Sequence, residues 1–229
     1  MKRLLVIFMT TLIFMSVSAQ KNVTKFLGIP VDGYKNEMKQ ELLAKGFEYD
    51  SYNDCFIGEF NGTNVTVSIV TNNNRVWRIM VRDFNAINET DIKIRFNNLC
   101  RQFDKNEKYA SLEGRDFYID DDEKISYNIL VNKKRYEAIY YQMNKTRDDI
   151  REEATQKVLE KYTMDEIKNP PKSKEKEISD MMLSEAKKSA LEAIDIKKVV
   201  WFMISEEYGK YRIIMYYDNE YNRADGEDL

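Results

Sequence analysis

Apolar and polar residues alternate along Val65-Thr66-Val67-Ser68-Ile69-Val70-Thr71-Asn72, and again sixty positions later along Ile125-Ser126-Tyr127-Asn128-Ile129-Leu130-Val131-Asn132. Alternation places every second side chain on the same side of an extended chain, so both stretches are predicted as strands buried on one face. The correspondence continues beyond the stretches themselves, because Arg75-Val76 and Ile79 match Arg135-Tyr136 and Ile139 at the same offset. Asn72-Asn73-Asn74 and Asn132-Lys133-Lys134 then read as hairpin turns, since Asn tolerates the left-handed backbone that tight turns require.

Each predicted hairpin is preceded by a shorter strand and a helix. In the first unit Met38, Leu42 and Leu43 form an apolar stripe that ends at Gly46, and Cys55 to Phe60 runs into an Asn61-Gly62 turn. In the second, Ile92, Phe96, Leu99, Cys100 and Phe103 fall on one helical face, and Phe117 to Ile119 follows as a strand. The order helix, strand, strand, strand thus occurs twice, in 28–84 and 88–143. Val67 takes the place of Tyr127, and Ile79 that of Ile139. A hairpin cannot bury its apolar face alone, so 20–143 is expected to be one α+β domain in which both units share an antiparallel sheet covered by their helices.

Residues 144–229 differ in character. Thr146 to Tyr162 and Ser173 to Ile194 are charged, helix-favouring segments separated by Asn169-Pro170-Pro171, where consecutive prolines end a helix. Val199 to Ile204 and Tyr211 to Tyr217 then form a hairpin around Gly209. Both strands are apolar on both faces, which predicts a position inside a sheet or beneath the helical pair. The segment reads either as part of the same domain or as a separate C-terminal subdomain.

The amino terminus changes the picture of where the chain works. Lys2 and Arg3 precede a mostly apolar run from Leu4 to Met15, and Val17-Ser18-Ala19 supplies small residues where a signal peptidase reads. Residues 1–19 are therefore expected to be a signal peptide, with a mature chain beginning at Gln20 that is periplasmic or secreted. The run is too short for a transmembrane anchor, and no later stretch resembles one. The whole chain has a net charge of -3, which removal of Lys2 and Arg3 takes to -5. Without a basic stripe, this balance argues against a nucleic-acid partner. Cys55 and Cys100 are a candidate disulfide in an oxidising compartment, but both sit among apolar neighbours and read foremost as buried packing thiols.

Candidate chemistry is sparse. The absence of histidine removes Ser-His-Asp and Cys-His nucleophiles and the usual zinc sites, and no glycine-rich phosphate loop is present. No cofactor or metal is expected. Asp120-Asp121-Asp122-Glu123 reads foremost as a solvated turn. Asp218, Glu220, Asn222 and Asp225 present oxygen ligands at loosely calcium-loop spacing, but the closing glutamate is missing. Aromatic residues are plentiful, notably Trp77, Trp201, Tyr140, Tyr141, Tyr216 and Tyr217. Trp77, Tyr140 and Tyr141 are the candidate binding surface; the competing reading is that such rings only pack sheet faces.

The doubled helix-and-strands arrangement, carried by the two hairpins quoted above, resembles the repeat of the β-lactamase-inhibitor-protein-like fold. Phe26-Leu27-Gly28-Ile29-Pro30-Val31-Asp32-Gly33 and the end of the chain from Tyr217 to Leu229 are similar to the starts and ends of uncharacterised exported proteins of Bacteroidota. The resemblance implies an architecture and no activity. Three function classes follow: a noncatalytic binding protein of the envelope with a protein or glycan partner, a carboxylate-dependent hydrolase, or a structural envelope component.

Overall fold

The computed structural model describes residues 22–112 and 116–224. The expected signal peptide and the new amino terminus at Gln20 lie outside them. A small hairpin, β1 (Lys25–Phe26) and β2 (Ile29–Pro30), leads into helix α1 (Lys35–Ala44) and four strands: β3 (Glu48–Asp50), β4 (Cys55–Phe60), β5 (Thr63–Asn72) and β6 (Arg75–Asp83). Helix α2 (Glu89–Lys105) follows, then β7 (Tyr109–Ala110), α3 (Ile125–Leu130) and β8 (Glu137–Met143). Helices α4 (Arg147–Leu159), α5 (Met164–Lys168) and α6 (Glu175–Ala193) precede the long strands β9 (Ile194–Glu207) and β10 (Lys210–Asn219).

Eight strands form one antiparallel sheet in the order β3-β4-β5-β6-β10-β9-β8-β7. The C-terminal hairpin, apolar on both faces, lies at the centre of this sheet, as its sequence implies. Turns at Asn61-Gly62, Asn73-Asn74 and Tyr208-Gly209 each place two successive residues at positive φ. That is the two-residue geometry whose twist matches a hairpin, and Asn and Gly adopt it at least cost.

Alternation sends Val65, Val67, Ile79, Val81, Phe202, Ile213 and Met215 to one face, where α1 lies over β5 and β6 and α2 over β9 and β10. All five residues of the apolar stripe on α2 are buried there, and the Asn88 side chain caps the helix by accepting the Asp91 amide at 2.9 Å. Asp83, at the end of β6, receives both Nε and Nη2 of Arg95 at 2.6 and 2.8 Å, which ties α2 to the sheet. The helical segment α4–α6 has a small apolar cluster of its own around Val158, Tyr162 and Ile178.

The class and the shared antiparallel sheet match expectation, but the second unit requires correction. Ile125–Leu130 is helix α3, so the strand and turn expected at 125–134 are absent. Six alternating residues with Ile125 and Ile129 also satisfy an i, i+4 helical spacing, and tertiary placement decides between the two. β8 pairs with β9 on one side and with β7 at Tyr141 and Gln142 on the other, and Ile125 is instead buried in the core from α3. Phe117 to Ile119 is likewise not a strand, because the Asn97 side chain on α2 satisfies both the Ile119 amide and its carbonyl, at 2.9 and 2.8 Å. Ile139 faces away from the helices whereas Ile79 is fully buried beneath them, so these two positions are not equivalent.

A doubling exists at another offset. A helix followed by four strands occurs as α1-β3-β4-β5-β6 and as α2-β7-β8-β9-β10, and the sheet order reads the same from either edge. The two halves meet where Val81 faces Met215. The counterpart of the β5–β6 hairpin is therefore β9–β10, displaced along the chain by the insertion of α4–α6.

Candidate functional site

The sheet face turned away from α1 and α2 carries an ordered array of side chains. Strand register aligns three rows across β5, β6, β10, β9 and β8: Thr66, Arg82, Ile214, Met203 and Glu137; Ser68, Met80, Tyr216, Trp201 and Ile139; and Val70, Arg78, Asp218, Val199 and Tyr141. All but Asp218 retain partial exposure, so this face is not closed into a second core.

The cluster at its centre follows from register. Arg78 and Asp218 are direct cross-strand partners, and Arg78 donates through Nε and Nη2 to the two carboxylate oxygens at 2.6 and 2.7 Å. Two parallel bonds of this kind fix the guanidinium plane as well as its position. Trp201 and Tyr216 are also cross-strand partners, and their rings stack with centroids 4.1 Å apart. The indole of Trp201 donates to Asp218 at 2.9 Å.

A bulge opposite Val70 and Thr71 leaves Trp77 unpaired and brings its ring beside Arg78. The guanidinium lies 4.3 Å from the Trp77 centroid, 4.7 Å from Tyr216 and 5.5 Å from Trp201. Three electron-rich rings thus hold one cation whose charge is balanced by a carboxylate beneath it. Burial, as the leading cause, raises the Tyr216 hydroxyl above its ordinary pKa. A second ionic group borders the array, where Glu207 accepts Arg82 at 2.8 Å and Arg212 at 3.2 Å.

Of the expected aromatic surface, Trp77 and Tyr141 lie on this face and Tyr140 does not. Tyr140 is 1% exposed in the core, stacked on Phe103 at 4.6 Å, with its hydroxyl donating to Asp104 at 3.2 Å. Successive strand residues point to opposite faces, so Tyr140 and Tyr141 could never have shared one surface. Trp201 and Tyr216 complete the exposed cluster, and Tyr217 belongs to the core. Arg78 gave no sequence signal, because its partner Asp218 is distant along the chain.

Cys55 and Cys100 are both buried free thiols. Cys55 lies on β4 and Cys100 beneath β8, where its carbonyl accepts the Tyr140 hydroxyl; β4 and β8 are separated by four strands. Five strand spacings of about 4.8 Å put the two strands on the order of 20 Å apart, beyond the reach of a disulfide. Burial pushes the Cys100 thiol up to about 12.

In the first acidic stretch Asp120, Asp121 and Asp122 are exposed at a turn, and only the Glu123 carboxylate is engaged among the described residues. Glu123 accepts Lys134 at 2.6 Å and Asn128 at 2.8 Å, and also takes the Tyr136 hydroxyl; the Lys134 bond leads in holding its carboxyl below the usual range. In the proposed calcium spacing, Asp218 is occupied by Arg78 and Trp201, and Asn222 donates to Asp32 and to the Val76 carbonyl. Asp225 lies outside the described residues. No group of three or more potential ligands is placed to hold a metal among the described residues, and no described helix is long and apolar enough to cross a membrane.

Asp218 anchors the cluster from its buried side. The Asp218 oxygens already accept three donors, so the buried carboxylate at its centre is committed to holding Arg78 and Trp201 in place. Comparison with family models, curated proteins and solved structures returns no match.

Proposed function

We propose that the chain is an exported, noncatalytic binding protein of the cell envelope that holds a protein partner on its open sheet face. The observation that carries this reading is the composition of the face. Trp77, Arg78, Met80, Trp201, Met203 and Tyr216 belong to the residue types in which the buried cores of protein interfaces are enriched. Five strands at about 4.8 Å spacing and three rows along them span several hundred Å2, comparable with one side of a standard interface of about 800 Å2. Rings held by Arg78 and Asp218 lose little further freedom when a partner covers them, which favours tight contact. Residues 1–19, as a signal peptide, would deliver this surface to the envelope. The likeness to the β-lactamase-inhibitor-protein-like repeat rests on the hairpins at 65–79 and 125–139, the second of which is helix α3 followed by β8, so it adds little to this reading, and no inhibitory activity is transferred with it.

The test is capture from envelope extract with the mature chain and three variants. Trp77→Ala should reduce recovery of the partner at least tenfold, because truncating a central aromatic anchor costs about 2 kcal/mol or more, and Tyr141→Ala, at the β8 edge of the array, should reduce it severalfold. Leu183→Ala, on the exposed side of α6, should recover it like the wild type. Undiminished recovery by both open-face variants would refute the assignment of the surface.

A further inference from the structure

A cavity of about 500 Å3 opens on the opposite side of the molecule, between the β1–β2 hairpin, the last turn of α2 and the start of β9. Three lysines, Lys25, Lys108 and Lys198, line it, and no carboxylate does. None of the three forms an ion pair among the described residues. The last turn of α2 directs its carbonyl ends toward this region, but a helix C-terminus carries only about half a negative charge, well short of three lysines.

Lys198 is the unusual member. It is 2% exposed, and its ammonium donates to the Asn144 side-chain oxygen, a neutral acceptor that also takes the Asn22 amide. An ammonium has three donors and a full charge, and burying it with no carboxylate in direct contact is costly. Burial lowers its affinity for a proton, the nearby charge of Lys25 lowers it further, and Asp195 partly offsets both. A protein that retains such a lysine beside two others has a site that an anion would complete.

The remaining walls indicate what kind of anion. Phe60, Phe103, Tyr109 and Tyr217 contribute aromatic surface, and Gln102 and Asn106 carry side-chain amides at the same opening. Gln142 fixes the wall between β1 and β7 by accepting the Lys25 amide at 2.9 Å while donating to the Lys25 carbonyl at 2.8 Å and the Tyr109 hydroxyl at 3.2 Å. Rings beside carboxamides suit a hydroxylated body, and the lysines suit a carboxylate or phosphate attached to it.

We infer that this cavity binds a small hydroxylated anion of the acidic-sugar or sugar-phosphate class, with Lys198 as its buried counter-charge and Lys25 and Lys108 at its rim. The site is independent of the open sheet face, so either assignment can fail without the other.

Isothermal titration of the mature chain with glucuronate, glucose 6-phosphate, inorganic phosphate and glucose tests it. At least one of the two sugar anions should bind saturably at one per chain, and glucose should not. Lys198→Met should weaken binding at least tenfold and, by removing a buried charge that Asp195 only partly offsets, raise the Tm of the ligand-free protein. The Lys25→Met/Lys108→Met double variant changes only exposed residues, and it should weaken binding even if Lys198→Met fails to fold. Absence of saturable binding by both sugar anions, equal binding of glucose, or affinity unchanged in the rim variant would overturn the inference. Inorganic phosphate binding as tightly as glucose 6-phosphate would overturn its hydroxylated part.

Discussion

The two faces of the sheet are built by the same strands and differ in what covers them. On one, Val67, Ile79, Val81, Phe202 and Met215 lie under two helices; on the other, Ser68, Met80, Tyr216, Trp201 and Ile139 all keep partial exposure. Tyr140 and Tyr141 show the contrast within a single peptide unit, one buried against Phe103 and the other partly exposed. Apolar content alone therefore does not distinguish a closed core from a partly exposed face. Large apolar residues on the open face surround a fixed ionic pair, whereas those on the helical face surround one another.

The largest effect should separate the faces directly. Ile79→Asp puts a carboxylate among fully buried neighbours and should cost several kcal/mol, a substantial fraction of the 5–15 kcal/mol by which domains are stable. Ile139→Asp, on the open face, should cost about 1 kcal/mol or less in the same urea denaturation series. Equal losses would mean that the second face is covered too.

Removing the ionic pair comes next. Asp218→Ala leaves Arg78 and the Trp201 indole without their acceptor and should cost about 2–3 kcal/mol, below the usual range for a buried pair because Arg78 is partly exposed. The near-ultraviolet circular dichroism of the tryptophans should change with it, since their environment is set by that carboxylate. A variant with native stability and an unchanged aromatic spectrum would show that the cluster is not held from beneath.

A smaller and more local effect belongs to the helical insertion. Thr146 and Asp149 form a capping box at the start of α4, so Thr146→Ala should cost about 1 kcal/mol. Because α4–α6 has its own small cluster, hydrogen exchange should accelerate there and remain unchanged in β5, β6, β9 and β10. Uniform acceleration across the sheet would contradict that separation.

The thiols should respond least. With its thiol at about 12, Cys100 is ionised to roughly one part in ten thousand at pH 8 and should resist maleimide in the native protein. Intact mass should show two unbridged cysteines, and denaturation should make both reactive.

Much of the helical face was legible because its signals are local. The α2 stripe from Ile92 to Phe103, the Asn61-Gly62 turn and the apolar C-terminal hairpin each specify an element within about a dozen residues. The strand expected at Ile125–Leu130 failed because six residues cannot distinguish two periods, and the sheet position beside β8 is filled by β9 from far along the chain. The open-face cluster was only half legible. Trp77 and Tyr141 announce themselves by type, but the bond from Arg78 to Asp218 depends on β6 and β10 becoming neighbours, and no local pattern records that. Lys198 gave no signal, since its burial depends on the β1–β2 hairpin and the end of α2 closing around it.

Oxidative footprinting of the methionines would show whether a partner docks on the open face. Met80 and Met203 lie on the open face, Met38 and Met215 are buried under the helices, and Met181 and Met182 lie on α6. In the free mature chain Met80 and Met203 should oxidise readily while Met38 and Met215 remain protected. In the complex captured from envelope extract, Met80 and Met203 should become protected with Met181 and Met182 unchanged; protection of the α6 methionines instead, with Met80 and Met203 still reactive, would contradict the account.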